Sequence, residues 1–413
     1  MTDLAPAPAE THPKRAELVE LTQRSIAHAQ ASTAPLADSV KQVPASNYVD
    51  ADRWQREMQQ VFARVPLVAG FSCEFAQPGA WRALDLGDVP VLIVRDDEGA
   101  IRAFVNTCSH RGAQLAEGHG VARRFSCPYH AWVYDTGGAL VGIRDHHDFG
   151  EIDMDCNGLT ELGCDERAGI VWVSLATLNG ETDIDIDTWL CGYDDYLSAL
   201  GIADASFVAR QSVDGPNWKL AYDGYLDFYH LPILHKNTFG PDYGNKAIYD
   251  AWGPHQRVSS PDERTLALAE RSAEELTLRN LTTGVWTIFP HVSIARFDAG
   301  VPLFMISQLL PGDTPDSSRT TQHFLAVEDP TPHMETIEQQ MKFLLHVVRD
   351  EDYFTGLRIG KALATGAKDH VMFGRNEAGG QRFHGWVDTL LDAETNADAA
   401  AALVAAESPV FQR

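Results

Sequence analysis

Apolar residues follow two different periods along this chain, and the change of period divides it into parts. A helical spacing of apolar residues runs from about residue 50 to residue 62, which predicts a short amphipathic helix. From residue 65 to about residue 178 the apolar residues form short runs broken by Gly and Asp. Strands are expected at 89–94, 101–106 and 169–175, which is typical of a small antiparallel β domain.

The second half of the chain keeps the two periods in separate groups. Helical patterns cover residues 186–200, 218–231 and about 332–364, whereas strand patterns cover 285–297, 303–310 and 320–327. Because the strands are grouped and do not alternate with helices, this order favours an α+β fold over a doubly wound sheet. An Ala-rich stretch after residue 393 predicts one more helix.

Composition along the chain places the expected boundaries. Residues 1–45 are rich in Ala, Pro, Ser and Thr, which predicts a loose N-terminal arm with one helix near residues 15–30. The polar stretch 179–187 marks a joint between domains. We therefore expect a first domain with its leading helix at 46–180 and a second domain at 181–413.

Charge limits the classes of partner. The 413 residues include 33 Lys and Arg against 58 Asp and Glu, a formal net charge of −25. Such an acidic chain repels phosphate backbones and anionic lipid surfaces. It has no run of about 18 apolar residues that could span a bilayer, and its N-terminus lacks the pattern of a secretory signal. These features predict a cytoplasmic protein with no nucleic-acid and no membrane partner.

Two short motifs in the β region combine cysteine with histidine. The first is Cys108-Ser-His110, and the second is Cys127-Pro-Tyr-His130. Two thiolates and two imidazoles can hold a tetrahedral zinc, or a two-iron cluster with Cys on one iron and His on the other. The residues alone leave both interpretations open.

A second motif, Asp227-x2-His230-x4-His235, lies in the predicted helix of the second half. Histidines five residues apart point about 140° apart on an ideal helix and could not share one ion. Pro232 lies between them and is expected to bend or end the helix, so that His235 can turn back.

An open catalytic iron site needs two histidines and one carboxylate. In the helix after Pro332 the apolar stripe contains Asp352, where an unpaired carboxylate would be costly unless it binds a metal or pairs with a group such as Arg358. Glu351 is the less favoured alternative. The stripe runs through Ile337, Met341, Leu345, Val348, Asp352 and Ile359.

The segments around the Cys and His motifs, Asn-Thr-Cys-Ser-His-Arg-Gly from residue 106 and Cys-Pro-Tyr-His-Ala-Trp from residue 127, resemble the Rieske family. The closer resemblance is to the large subunits of Rieske non-haem iron aromatic-ring-hydroxylating oxygenases. It implies a [2Fe–2S] cluster in which Cys108 and Cys127 bind one iron while His110 and His130 bind the other.

The same family carries the Asp-x2-His-x4-His motif together with a distant Asp, often in a Glu-Asp pair. The resemblance therefore implies that His230, His235 and Asp352 hold a mononuclear non-haem Fe(II). Asp227 matches the carboxylate that, in the family, bridges a histidine of this iron to a Rieske histidine of the neighbouring subunit. Asp223 and Gly224 stand where many members have Glu-Asn, so the surroundings of the iron differ.

The resemblance also implies an architecture and partners. The fold would be an N-terminal Rieske antiparallel β domain followed by a catalytic helix-grip (START-like) domain with a curved antiparallel sheet. The chain would form a homotrimer, with an accessory small subunit left open. It has no Gly-x-Gly-x-x-Gly fingerprint, so electrons from NAD(P)H are expected through a separate reductase, with or without a ferredoxin.

The implied activity is that of a terminal oxygenase. It would activate O2 to hydroxylate an aromatic or largely hydrophobic small molecule, as in aromatic hydrocarbon catabolism. Monooxygenation, including oxidative N- or O-demethylation, is the alternative, and a Rieske electron carrier without oxygenase activity is the alternative of another class. The expected substrate contacts are Tyr225, Phe228, Leu231 and Leu234 on the helix and Phe289, His291 and Ser293 on a strand.

Overall fold

A computed structural model describes residues 11–240 and 244–412. The fold is α+β, as predicted, with two main antiparallel sheets of seven and eight strands. No helix in the described ranges is both long enough and apolar enough to cross a bilayer.

The N-terminal segment contains more structure than its composition indicates. Its elements are α1 (Arg15–Ala31), β1 (Lys41–Pro44), α2 (Ser46–Val49), α3 (Ala51–Glu57) and a π-helical turn (Met58–Phe62). Arg15 donates hydrogen bonds to the carbonyls of Ala273 and Leu276 at 2.9 and 2.7 Å. The predicted helix near residues 15–30 is confirmed as α1. The prediction that this segment is loose is wrong for the described residues, since polar contacts that composition does not reveal attach it to the second domain; residues 1–10 lie outside the described ranges.

The first domain is built on the seven-stranded sheet, whose order is β2-β11-β10-β5-β4-β3-β6, and a three-stranded sheet of order β7-β8-β9. The elements are β2 (Leu67–Phe71), β3 (Ala80–Leu86), β4 (Val89–Arg95), β5 (Ile101–Val105), β6 (His119–Val121), β7 (Arg124–Ser126), β8 (Val133–Asp135), β9 (Leu140–Gly142), α4 (His146–Phe149), β10 (Glu161–Arg167) and β11 (Ile170–Ser174).

The second domain is an eight-stranded sheet that curves around helices, in the order β12-β18-β17-β16-β15-β14-β13-β20. Its first elements are α5 (Ile186–Leu190), α6 (Tyr193–Ser198), β12 (Ser206–Gly215), α7 (Trp218–Leu226), α8 (Leu231–Leu234), β13 (Ile248–Trp252), β14 (His255–Ser259), α9 (Glu263–Leu266) and α10 (Leu278–Leu281). They are followed by β15 (Val285–Ile288), β16 (Val292–Asp298), β17 (Pro302–Pro311), β18 (Ser318–Ala326), α11 (Met334–His346), a π-helical turn (Val347–Tyr353), α12 (Phe354–Leu363), β19 (His370–Phe373), α13 (Ala378–Asp392), α14 (Asn396–Ala405) and β20 (Val410–Phe411).

Single 3₁₀ turns lie at Ser72–Phe75, Asp155–Asn157, Ala176–Asn179, Ile202–Asp204, Ala267–Glu270 and Thr331–His333.

The leading helix belongs by its contacts to the second domain. Arg53 forms an ion pair with Asp388 at 2.7 Å, and the buried Glu57 accepts a hydrogen bond from the indole of Trp218 at 3.0 Å. Glu57 also forms an ion pair with the buried Lys219. These contacts hold the start of α7, which leads into the Asp-x2-His-x4-His motif. The division into domains at residues 46 and 180 stays a proposal.

Candidate metal centres and the adjacent cavity

The two Cys and His motifs form a matched pair of loops. In each loop the cysteine N–H donates to the carbonyl five residues later, and its carbonyl accepts from the N–H four residues later. The residue at that fourth position, Gly112 or Ala131, has a positive φ of 74° or 58°. Two equal turns therefore present Cys108 and Cys127, which lie in one cluster of buried residues.

The four side chains of these loops fit an iron–sulfur cluster. Cys108 and Cys127 are buried, and the rings of His110 and His130 have centroids 4.5 Å apart. The Nδ1 atoms of both histidines are buried without a hydrogen-bond partner in the described chain. Because a buried polar atom without a partner is costly, a metal on each Nδ1 would account for this arrangement, and two Cys with two His match the donors of a Rieske cluster.

Neighbouring side chains support the cluster loops. Trp132 stacks on His110 with an interplanar angle of 9°. The hydroxyl of Tyr134 accepts the Ser109 N–H at 2.9 Å and lies 3.4 Å from the sulfur of Cys108. Burial, with the nearby Cys108, raises the pKa of Tyr134 to about 12, so its hydroxyl keeps its proton and donates it toward the sulfur. Hydrogen bonds to ligand sulfurs help to set a cluster's reduction potential.

The second motif turns at Asp227 and not at Pro232. Helix α7 ends at Leu226, and Asp227 is extended with φ −106° and ψ 117°. Pro232 lies in the first turn of the short α8, where its missing N–H would have no helical partner. The prediction that Pro232 breaks the helix is therefore wrong, although the consequence expected from it, that His235 turns back toward His230, holds.

His230, His235 and Asp352 form one cluster of potential ligands. The two Nε2 atoms lie 3.2 Å apart, and Asp352 Oδ1 lies 3.0 Å from His235 Nε2 and 3.6 Å from His230 Nε2. These three are a group of His and Asp whose donor atoms could hold one metal ion. With metal–nitrogen bonds of about 2.0–2.1 Å, ligands at right angles lie roughly 3 Å apart, so the triangle fits one ion and leaves its other side open.

Asp352 lies in the π-helical turn, which sequence periodicity could not indicate. The apolar stripe predicted through Asp352 to Ile359 is not continuous, because Ile359 is exposed. The wider turn at Val347–Tyr353 changes the helical register, and the buried residues are Tyr353 at its end and Gly356 and Leu363 beyond it. The apolar stripe that indicated Asp352 therefore describes the buried face of the helix only before the π-helical turn.

Charges of the cluster reinforce one another. Burial lowers the pKa of His230, but the hydrogen bonds and charges of Asp227 and Asp352 outweigh it and raise the pKa to about 9. Burial raises the pKa of Asp352, but the two histidines outweigh it and lower the pKa. The acidic surroundings thus favour a positive charge in this space, which a bound metal cation also supplies.

Asp227 contacts its own iron-site histidine directly. Its Oδ2 lies 3.0 Å from Nδ1 of His230, and its Oδ1 accepts the backbone N–H of Tyr229 at 2.5 Å. Its side chain is 28% exposed, so the carboxylate also faces outward. One turn earlier, Asp223 accepts from the hydroxyl of Tyr48 at 2.9 Å and lies 3.0 Å from Nε2 of the buried His384. Asp223 is one of the two positions, with Gly224, at which this chain differs from the Glu-Asn of many family members, and its partners Tyr48 and His384 are buried.

A cavity of about 520 Å³ opens beside the cluster. Phe239 lines it, and its ring centroid lies 5.3 Å from that of His235. The apolar part of its wall consists of Phe228, Leu231, Phe239, Leu268, Val285, Ala295 and Phe297. Its size is ordinary for a small-molecule site.

Of the seven expected substrate contacts, Phe228 and Leu231 line this cavity. The other five lie off its wall. The hydroxyl of Tyr225 lies 3.4 Å from that of Tyr353, Phe289 packs against Trp189 and Phe383, His291 accepts the Val68 N–H, Ser293 is buried opposite Thr287 and Ser307 in the sheet, and Leu234 is half-buried in α8.

Strand alternation could have found two of the missed cavity residues, Ala295 and Phe297. The turn between β15 and β16 at residues 289–291 takes Phe289 and His291 out of the strand pattern. Alternate residues of a strand share a face, so Ser293 shares its face with Ala295 and Phe297, which do line the cavity. Continuing the alternation from Ser293 would have pointed to Phe297.

Family models match both parts of the chain. The Rieske [2Fe-2S] domain matches residues 66–153, and the catalytic domain of the ring hydroxylating alpha subunit matches residues 202–393. The chain belongs to the Rieske oxygenase alpha subunits. A Rieske cluster and a mononuclear iron are therefore its implied cofactors, and the two sets of residues described above fit them.

Curated relatives of this Rieske oxygenase subunit are named as glycine betaine, carnitine and choline monooxygenases. The chain is 32% identical to the glycine betaine monooxygenase oxygenase subunit of Chromohalobacter salexigens over 47% of its own length and 43% of that protein. The chain spans about half the length of the curated relatives it matches.

Two solved structures share its fold. A quaternary ammonium Rieske monooxygenase, CntA, matches with a TM-score of 0.72 and 21% identity over 86% of this chain and 96% of that one. Naphthalene 1,2-dioxygenase from Rhodococcus sp. matches with a TM-score of 0.69 and 18% identity over 92% and 99%. This fold therefore occurs in a monooxygenase and in a dioxygenase, so the fold alone does not distinguish the two activities.

Proposed function

We propose that this chain is the terminal oxygenase component of a multicomponent Rieske monooxygenase, and that it oxidises a small quaternary ammonium compound. The observation that carries the substrate class is the cavity beside His235, to which Phe228, Phe239 and Phe297 all contribute. The name of the glycine betaine relative supports the same class. A quaternary ammonium compound is therefore the first candidate substrate, and the aromatic molecule expected from the sequence is the competing candidate.

The chemistry of the cavity wall suits a cation that cannot donate hydrogen bonds. A quaternary ammonium group is recognised mainly by the faces of aromatic rings. Four of the five charged residues at the cavity pair with one another, Asp262 with Arg264 at 3.1 Å and Asp298 with Arg279 at 3.2 Å. The fifth, Arg296, donates hydrogen bonds to the carbonyl of Arg279 and to the hydroxyl of Thr282. Arg264, Arg279 and Asp298 are at least half exposed, so these three side chains extend toward the solvent, while the three phenylalanine rings supply aromatic faces to the cavity.

The proposed roles of the metal-binding residues follow the geometry. Cys108, Cys127, His110 and His130 hold the cluster, and His230, His235 and Asp352 hold the mononuclear iron. When bound, the cluster supplies single electrons and the iron activates O2. The chain's own residues orient these centres, exclude water from the inner cavity and place the substrate beside His235.

Electrons must reach the cluster from outside. We propose a separate NAD(P)H-dependent reductase as donor, directly or through a ferredoxin. A Rieske electron carrier would require the cluster loops alone, so the assembled triad of the second domain favours the oxygenase over this alternative.

Exposed apolar side chains beside each centre support a head-to-tail assembly, which we propose to be a homotrimer. Tyr129, next to His130, is 60% exposed, and Ile233, between the two iron-site histidines in sequence, is 75% exposed. Exposed apolar groups often mark contacts with other chains. In such an assembly the outward side of Asp227 would face His130 of a neighbouring copy.

The test uses the purified, metal-loaded chain with a surrogate reductase, NADH and ¹⁸O₂. Glycine betaine, carnitine and choline are compared with naphthalene, and substrate-dependent O2 consumption and product mass are measured. A monooxygenase puts one labelled oxygen into the product and the other into water, whereas an arene dioxygenase puts both into a diol. Hydroxylation next to nitrogen or at an alcohol carbon yields an aldehyde whose oxygen exchanges with water, so the aldehyde is reduced at once with borohydride. A singly labelled alcohol from a quaternary ammonium substrate supports the proposal; a doubly labelled diol from naphthalene alone overturns it.

A further inference from the structure

Glu351 contacts the face of His235 that points away from the metal cluster. One carboxylate oxygen, Oε2, lies 2.5 Å from Nδ1 of His235. The other oxygen accepts a hydrogen bond from the hydroxyl of Thr238. His235 is almost fully buried and Glu351 is 17% exposed, so this contact is largely shielded from water.

Glu351 and Asp352 both lie in the π-helical turn. Glu351 and Asp352 are consecutive, and in an α-helix consecutive side chains diverge by about 100°. Here both reach the same imidazole, Glu351 at Nδ1 and Asp352 at Nε2 at 3.0 Å. Inserted π turns occur frequently at functional sites, and this one places two carboxylates on opposite sides of one histidine.

We propose that Glu351 is a positioning residue for the mononuclear iron and not a ligand. It accepts the Nδ1 proton of His235, which leaves the Nε2 lone pair directed at His230 and Asp352. Thr238 holds Glu351 in place by its hydroxyl. Carboxylates in this role fix the ring orientation and raise the basicity of the ligand nitrogen. The geometry also decides against Glu351 as the third ligand, because both its oxygens are engaged on the far side of the ring.

The two iron-site histidines are then supported in the same way. Asp227 contacts Nδ1 of His230 and is held by the Tyr229 N–H, while Glu351 contacts Nδ1 of His235 and is held by Thr238. Asp227 faces outward and Glu351 inward. Only Asp227 is therefore placed to act between subunits, whereas Glu351 acts on metal affinity alone.

Metal affinity provides the test, because it is independent of substrate and reductase. Anaerobic protein with its cluster intact and its mononuclear iron removed is titrated with Fe(II) against a competing chelator. We expect Glu351→Ala to weaken Fe(II) binding by about 10- to 100-fold, the usual effect of losing such a partner. Glu351→Gln should recover part of the loss, because its amide oxygen can still accept the Nδ1 proton.

Thr238→Val tests the chain of contacts and remains informative if Glu351→Ala does not fold. It should weaken Fe(II) binding by less than Glu351→Ala does, and the double variant should bind no more weakly than Glu351→Ala, since groups that act through one another are not additive. Asp350→Ala is the matched control: Asp350 is exposed and pairs with Arg349 and His346. Its Fe(II) affinity should equal that of the wild type.

This inference rests on the triad as the iron site of the proposed function, and the outcomes separate the two. If the wild type binds no Fe(II) at this site, the proposed function fails. If the wild type binds Fe(II) and Glu351→Ala binds it equally well, or if Thr238→Val adds its full effect to that of Glu351→Ala, the positioning role is overturned. With Co(II) as the probe metal, the visible absorption should also shift in Glu351→Ala and return toward the wild-type spectrum in Glu351→Gln.

Discussion

His291 accepts a hydrogen bond from the backbone N–H of Val68, with 3.1 Å between its Nε2 and the amide nitrogen. Val68 lies in the seven-stranded sheet and His291 in the turn between β15 and β16, so the bond joins the two domains. Gln308 donates to the carbonyl of Val68 at 2.7 Å. Because Nε2 must be unprotonated to accept, the junction needs a neutral imidazole.

The junction should therefore make stability depend on pH. Burial lowers the pKa of His291 to about 3, whereas an unfolded histidine titrates near pH 6.5. Below pH 6.5 the unfolded chain binds a proton here that the folded chain does not, so the free energy of unfolding falls as the pH falls. From this residue we expect a loss of about 2 kcal/mol at pH 5 relative to pH 7.

Urea unfolding of the wild type and His291→Gln at pH 7.5 and pH 5 measures this term. The glutamine oxygen can still accept the Val68 N–H but has no charge to gain, so the variant should lose less stability on acidification. Equal losses in the two proteins would show that His291 is not the group that responds.

A second prediction concerns the N-terminal helix. Arg24 forms an ion pair at 2.5 Å with Asp250, whose side chain is fully buried in the second domain. Arg24→Met leaves that carboxylate without this partner, and removing one member of a buried pair costs about 3–5 kcal/mol. We expect a loss of unfolding free energy of this size in urea. Gln23→Ala, on the exposed side of the same helix, is the control; a loss no larger than the control's would mean that the helix is not held by this pair.

Site residues were predicted most accurately where the ligands lie close together in the sequence. The Cys and His loops and the Asp-x2-His-x4-His motif identified side chains that the fold does bring together. The apolar runs at 285–297, 303–310 and 320–327 likewise predicted β15 to β18, since each strand reports its own buried face, whereas β12, β13 and β14 were missed.

Features that depend on distant partners were not predictable in this way. Nothing in the sequence around Val347–Tyr353 indicates the π turn from which Glu351 and Asp352 both contact His235. The composition of residues 1–45 is typical of a loose arm, but Arg24 meets a carboxylate 226 positions away. The helix break was predicted at Pro232 because proline is the strongest local signal for the end of a helix, yet the first turn of a helix accommodates proline.

The two metal centres should be separable by substitution. Cys108→Ser should abolish the visible absorption of the cluster and keep the mononuclear iron, because the two sites share no ligand. Asp352→Ala should do the reverse and also abolish product formation. Iron content and absorption spectra check both. Full absorption in Cys108→Ser, or full mononuclear iron in Asp352→Ala, would contradict the corresponding ligand assignment.

The aromatic wall of the cavity should determine substrate affinity. Phe297→Ala removes one ring from the wall, and a cation over such a ring gains about 0.5–2 kcal/mol. We expect KM for the quaternary ammonium substrate to rise roughly 2- to 30-fold, and Phe297→Tyr, which keeps the ring, to stay near the wild type. Steady-state O2 consumption measures both. An unchanged KM in Phe297→Ala would place the cationic group elsewhere.

Asp227 is the most informative single residue, because its proposed role is to connect centres and not to bind metal. Its carboxylate contacts His230 at 3.0 Å and remains 28% exposed, so it can accept a second imidazole N–H from a neighbouring copy. Asp227→Asn keeps the shape but loses the charge and one acceptor oxygen. We expect the variant to contain both metal centres, to be reduced normally at the cluster by dithionite, and to turn over about a hundredfold more slowly, the upper end of the usual effect of such partners.

Asp223→Asn, one helical turn earlier, removes an equal charge that contacts Tyr48 and His384 but not His230, and should keep near-normal turnover. If fully loaded Asp227→Asn matches this control in single-turnover reoxidation of the cluster, electrons reach the iron by another route.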